Sequence, residues 1–133
     1  MKLIIYPKRV GHSSGCVPLA LHRVLDLPYD TVDSWLIAMG YRKDATSGTM
    51  THKFMNTKSW SSTFVVYDDK NHFIFHRQPQ HEKLTVNQFN KLQLPGKYII
   101  EVQGHWLCQC GYIIYDTKNS ARTHIHHVWK LVN

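Results

Sequence analysis

The sequence predicts an α+β fold in which N-terminal helices pack on a mostly antiparallel C-terminal sheet. Apolar residues recur at every third or fourth position in 17–25 and 32–39, which is typical of helices that bury one face. From residue 62 onward, short β-branched and aromatic segments instead alternate with turn residues. The 133 residues contain no internal repeat or linker-like run. We therefore expect 1–133 to form one domain.

Four helices are expected. Pro18 is tolerated only in the first turn of a helix, so the first helix should start between Ser13 and Gly15 and hold Cys16 in its first turn. A second helix should run from about Asp30, a candidate N-cap, to Met39. Thr49 is placed to cap a short third helix. Thr85-Val-Asn-Gln88 is a capping-box pattern that predicts a further short helix through Leu92.

The remaining segments predict strands. Leu3–Tyr6 should form an edge strand, and the sheet strands should cover 62–67, 72–76, 98–103, 105–109, 112–117 and 126–132. The apolar run Tyr112-Ile-Ile-Tyr115 indicates hairpin strands that are covered on both faces. Trp106 is expected in the core, on the face of the sheet opposite its neighbour His105.

Composition excludes several classes of protein. No apolar run approaches the roughly 20 residues of a membrane span. The N-terminal apolar patch is short and lacks a cleavage site, so it predicts a strand rather than a signal peptide and favours a cytoplasmic location. Three cysteines, two of them in Cys108-Gln-Cys110, indicate reduced thiols.

The formal net charge of +7 would attract polyanions such as nucleic acid or acidic proteins. The basic residues, however, do not form a tract of five or six. This distribution favours a generally cationic surface over a dedicated nucleic-acid face, and nucleic-acid binding stays open as an alternative.

The principal functional hypothesis concerns Cys16. Unpaired amide donors in the first turn of a helix favour a thiolate over a thiol. A thiolate nucleophile needs a base held in a fixed orientation. If Cys110-Gly111 is a two-residue turn, His105 lies directly opposite Asp116, whose carboxylate would accept the Nδ1 hydrogen and leave Nε2 for the thiol. A three-residue turn would move Asp116 to the other face, and Asn119 or Asn71 would then be the orienting group.

A zinc site is the metal alternative. Potential ligands are Cys108, Cys110, His124, His126 and His127. The usual Cys-x-x-Cys spacing is missing, and the three histidines fit a solvated segment leading into the last strand. We therefore expect no metal and no other cofactor.

The order of these motifs resembles the short form of the papain-like cysteine peptidase superfamily. "GCVPLALHRVLDLPYDTVDSWLIAMG", "THKFM" and "PGKYIIEVQGHWLCQCGYIIYDT" are similar in order to a group of small bacteriophage proteins. The resemblance covers most of the chain, weakly between about 57 and 84. It implies a papain-like fold with Cys16 as nucleophile, His105 as base and Asp116 as orienting group.

One departure from that family concerns the oxyanion hole. Papain-like peptidases usually carry a glutamine a few residues before the cysteine as a side-chain donor, and positions 10–15 contain none. The Cys16 amide can supply one donor, and His12, Ser13 and Ser14 are the candidates for another.

The sequence therefore predicts a thiol hydrolase acting on a peptide, isopeptide or amide bond. The resemblance implies a peptide or protein substrate, such as a host protein, in the host cytoplasm. The alternative is an inactive papain-like binding module for a host protein or nucleic acid. A cell-wall amidase is a third interpretation, disfavoured because the sequence shows no export signal or wall-binding repeat. Oligomeric state is not predicted.

Overall fold

The fold is described from a computed structural model, which covers residues 1–6, 16–38, 63–67 and 72–132, apart from the side chains of Trp35, Phe64, Val65 and Tyr67. The predicted short helix after Thr49 lies outside the described residues. So do the oxyanion candidates His12, Ser13 and Ser14.

Three α-helices occur in the described residues. They are α1 (Cys16–Leu25), α2 (Tyr29–Ala38) and α3 (Val86–Lys91). Helix α1 ends where Asp26 adopts a positive φ of 56°, the left-handed conformation that commonly terminates a helix. The prediction that Asp30 caps the second helix is wrong, because α2 begins at Tyr29 and Asp30 lies inside its first turn. The capping box of α3 is confirmed: Thr85 accepts from the Gln88 amide, and the Gln88 side chain accepts from the Thr85 amide.

In the described residues, seven strands form one mixed, mostly antiparallel sheet. They are β1 (Lys2–Ile5), β2 (Thr63–Tyr67), β3 (His72–Arg77), β4 (Lys97–Val102), β5 (His105–Cys110), β6 (Ile113–Asp116) and β7 (His127–Leu131). Their order across the sheet is β1-β6-β5-β4-β7-β3-β2, and only β1 and β6 are parallel. The α+β class and the position of β1 at the edge are therefore confirmed.

The sheet separates two apolar cores. On one face, α1 and α2 bury a cluster that includes Val17, Leu21, Leu36, Ile99, Trp106, Cys108 and Trp129. On the other face, α3 contributes Val86 and Phe89 to a second cluster, which also includes Ile100, Leu107, Ile114 and Val128 of the sheet. Because the central strands are covered on both sides, they carry the continuous apolar runs seen in the sequence.

The β5–β6 hairpin differs in register from the prediction. Cys108, Gln109 and Cys110 pair with Tyr115, Ile114 and Ile113, so the turn is Gly111-Tyr112 rather than Cys110-Gly111. Gly111 has φ +61°, whereas no positive φ occurs at Cys110 or Tyr112. This fits a type II′ turn, in which glycine takes the first central position. The pairing is thus shifted by two residues, which preserves the face on which every side chain lies.

In the described part of the chain, no helix is long and apolar enough to cross a membrane.

Candidate active site

His105 is the first residue of β5 and lies at the end of the sheet. It faces the α3 side together with Val102, its cross-strand partner in β4. Its side chain is only 9% exposed. A polar ring in that position needs hydrogen-bond partners to offset its loss of hydration.

Asp116, the last residue of β6, supplies one partner. In the observed register it falls opposite Leu107, so it is a diagonal neighbour of His105 on the same face. The His105 Nε2 and the Asp116 Oδ1 are 2.5 Å apart. The same oxygen accepts from the backbone amides of Thr117 and Lys118, at 2.7 and 3.2 Å, and these bonds fix the carboxylate. The predicted pairing of Asp116 with Nδ1 is wrong, because Nε2 faces the carboxylate and Nδ1 is the remaining ring nitrogen.

Cys16 supplies the second partner. It is the first residue of α1, is half-buried and packs at the margin of the apolar core beneath that helix. Helix α1 lies on the face of the sheet opposite His105. Both residues, however, stand at the first position of their element, and the interaction of the thiol with the imidazole raises the pKa of His105. Two remote segments therefore bring the sulfur and the ring together at the sheet's end.

The three groups determine the charge of the imidazole. Burial lowers the pKa of His105, but hydrogen bonds to Asp116 and Cys16, together with the charges of both groups, raise it from 6.5 to about 9. At neutral pH His105 is therefore an imidazolium between a carboxylate and a thiol. Such a cation stabilises a thiolate next to it.

Trp106 follows the sequence prediction. It is buried on the α1 face, opposite His105, and its ring lies 6.2 Å from that of Trp129. Its indole Nε1 donates to Glu101 Oε2 at 3.3 Å. Glu101 also bonds to His127 Nδ1 at 2.7 Å. His127 is thus a half-buried partner of a carboxylate and not a solvated residue as expected, whereas His124 and His126 are exposed.

Cys110 is a thiol whose properties the sequence did not reveal. A hydrogen bond from Cys108 lowers the pKa of Cys110 despite its partial burial, and the charges of Lys97 and Arg23 act in the same direction. Lys97 is its cross-strand partner, a pairing that only the register of β4 and β5 could have indicated. Cys108 is buried, and burial raises the pKa of its thiol.

The residues considered as a zinc alternative do not lie together in the structure. Within residues 1–6, 16–38, 63–67 and 72–132, no group of three or more His, Cys, Asp or Glu side chains is arranged to hold a metal ion.

Comparison with protein-family models, with curated proteins and with solved structures finds no match for this chain. Any functional interpretation therefore depends on the geometry at the end of the sheet and on the resemblance of the sequence motifs.

Proposed function

We propose that this protein is a papain-like thiol hydrolase that acts on a peptide, isopeptide or amide bond. The observation that carries the proposal is that one imidazole, His105, contacts both the Cys16 thiol and the Asp116 carboxylate. A helix that begins at the cysteine and a strand that begins at the histidine support the papain-like assignment.

The arrangement suits nucleophilic catalysis. The Cys16 thiolate attacks the carbonyl carbon, and the Cys16 amide, in the first turn of α1, donates to the developing oxyanion. The His105 imidazolium gives its proton to the departing amine, which leaves a thioester on Cys16. His105 then takes a proton from water, whose attack on the thioester releases the acid and restores the thiolate–imidazolium pair. Asp116 orients the ring and stabilises its charge throughout.

The second oxyanion donor is proposed from the sequence. The candidates that would replace the usual glutamine are His12, Ser13 and Ser14. Loss of one such donor costs about 10²–10³ in rate, so we expect slow turnover or a preference for reactive acyl groups. A host protein in the host cytoplasm is proposed as the substrate only because of the resemblance to bacteriophage proteins.

Alkylation by iodoacetamide at pH 6 tests the proposal. An ordinary thiol is only about 0.3% ionised at that pH and reacts slowly, whereas the nucleophile proposed here, next to an imidazolium, should react fast. We expect Cys16 to react at least about tenfold faster than a free thiol in solution, as measured by peptide mass spectrometry. The measurement is repeated in a Cys110→Ser background, since Cys110 competes for reagent. A Cys16 that reacts no faster than a free thiol would refute the proposal.

The missing glutamine favours one alternative, an inactive binding module that keeps the same scaffold. A Cys16→Ala variant separates the two functions. Full retention of the biological effect in this variant favours binding, and loss of the effect favours hydrolysis.

A further inference from the structure

The loop formed by residues 117–126 connects β6 to β7 and is fixed to the candidate site at both ends. At its start, the amides of Thr117 and Lys118 donate to the carboxylate of Asp116. At its end, the His126 amide donates to the Glu101 carbonyl oxygen at 2.8 Å, one residue before the partner of His105 in β4. Both ends of the loop therefore lie next to residues that neighbour His105.

The middle of this loop is held against the start of α3. Amides of Val86 and Asn87 donate to the carbonyls of Thr123 and Ala121 at 3.0 and 2.9 Å. Ile125 is buried in the core beneath α3. A loop held by backbone bonds along its length presents its exposed side chains in fixed positions, which favours recognition because little ordering is needed on binding.

The exposed side chains of loop 117–126 include four basic groups and no carboxylate. The basic residues are Lys118, Arg122, His124 and His126. Between residues 83 and 132 the sequence has six lysines and arginines (83, 91, 97, 118, 122 and 130) but only two carboxylates, Glu101 and Asp116. Both carboxylates are buried and bonded to histidines. Within residues 83–132, no exposed carboxylate therefore neutralises the positive charge of the loop.

The chemistry of the site determines which part of a substrate meets this loop. His105 protonates the leaving group, so the leaving group must pass on the His105 side of the sulfur. That side is continuous with Asp116 and with the loop that begins directly after it.

We infer that loop 117–126 is a leaving-group subsite that selects acidic polypeptide, with aspartate or glutamate on the leaving-group side of the bond attacked by Cys16. This inference rests on the proposed function. A polypeptide is favoured over a nucleic acid because the bond attacked by Cys16 in the proposed function is a peptide, isopeptide or amide bond.

Binding measurements with a Cys16→Ala chain test the partner class. The probes are a fluorescein-labelled decapeptide rich in glutamate, its glutamine counterpart, and an oligothymidylate of equal charge. We expect the glutamate peptide to bind about tenfold more tightly than the glutamine peptide at low salt and less so at high salt. Equal binding of the two peptides, or tighter binding of the oligothymidylate, would overturn the inference.

Charge variants locate the effect. Lys118→Glu combined with Arg122→Glu should abolish the preference for the glutamate peptide, and the milder Lys118→Gln with Arg122→Gln should reduce it. Lys91→Glu is the matched control, because Lys91 is exposed at the last residue of α3 whereas the loop contacts its first turn. An equal loss of preference in the Lys91 variant would contradict a local subsite.

The alkylation of Cys16 separates failure of this inference from failure of the proposed function. Iodoacetate and iodoacetamide differ in charge, so their rate ratio at Cys16 reports the local field. We expect the rate with iodoacetate divided by the rate with iodoacetamide to fall several-fold in the double Glu variant, because the anionic reagent is no longer attracted, and to stay unchanged in the Lys91 variant. If the double Glu variant leaves this ratio unchanged while Cys16 still reacts fast with iodoacetamide, only the subsite inference fails. A slow reaction with both reagents removes the hydrolase proposal.

Discussion

His105 carries a buried positive charge between two partners of different chemistry. Asp116 stabilises this charge at Nε2, and the thiol of Cys16 contacts the same ring. Asp116 Oδ1 also accepts two backbone amides, so the carboxylate is held in one orientation. An isolated histidine at this position would lose its proton on burial, so the two partners decide its protonation state.

The free energy of unfolding should depend on pH through His105. The pKa is about 9 in the folded chain and near 6.5 when the chain unfolds, so the stabilisation is complete below pH 6.5 and is lost as pH rises through 9. The full effect is on the order of 3 kcal/mol. Urea unfolding of the wild type and of His105→Gln, at pH 6.5 and 9.5, measures it. Between pH 6.5 and 9.5 we expect the free energy of unfolding to decrease more in the wild type than in the variant. Equal decreases in the two proteins would contradict the linkage.

At the scale of elements, α3 is tied to the β5–β6 hairpin by a buried amide. Asn90 Nδ2 donates to Gln109 Oε1 and to the Tyr112 carbonyl oxygen, each at 3.0 Å. The second bond reaches the turn itself. This contact helps to fix the hairpin in a register that places Asp116 beside His105.

Substitution of Asn90 should therefore destabilise the chain. Asn90→Ala leaves the buried Gln109 Oε1 and the partly buried Tyr112 carbonyl oxygen without this donor, and we expect a cost of about 2–3 kcal/mol in the free energy of unfolding. Lys91→Ala, on the same helix but exposed, is the control and should change stability by less than about 0.5 kcal/mol. Urea denaturation compares the two variants. A similar small effect at both positions would show that the amide contact does not stabilise the hairpin.

Much of this element structure could be predicted from the sequence because its signals are local. The capping box of α3, the stripe of α1 and most strands depend on neighbouring residues. Which residues form the hairpin turn depends on whether Gly111 takes the first or the second central position, and the sequence Cys-Gly does not determine which of the two it takes. His105 and Asp116 are nevertheless close together, because a shift of two residues keeps both side chains on one face.

At the scale of the whole molecule, the sheet brings together residues that are far apart in sequence. Residues 16, 105 and 116 meet because α1 lies across β5 with both elements starting at the same end of the sheet. The roles of the two imidazole nitrogens could not be predicted, since they depend on how the ring leaves the end of the strand. Neither could the Glu101–His127 contact, which requires knowing that β4 and β7 are neighbours.

The distribution of charge also emerges only at this scale. The net charge of +7 is a property of the sequence, and its apparent dispersion there argued against a dedicated surface. Folding buries both carboxylates of residues 83–132 and leaves Lys118, Arg122, His124 and His126 exposed in one loop.

A titration of the His105 ring by NMR, in the wild type and in Cys16→Ala, is the most direct test of the coupled cysteine, histidine and aspartate. We expect His105 to titrate at about 9 in the wild type and at a lower pH in the variant, because removal of the thiol removes one of its hydrogen bonds and one of its charge interactions. A His105 that titrates near 6.5 and is unaffected by the loss of Cys16 would contradict the existence of the coupled group.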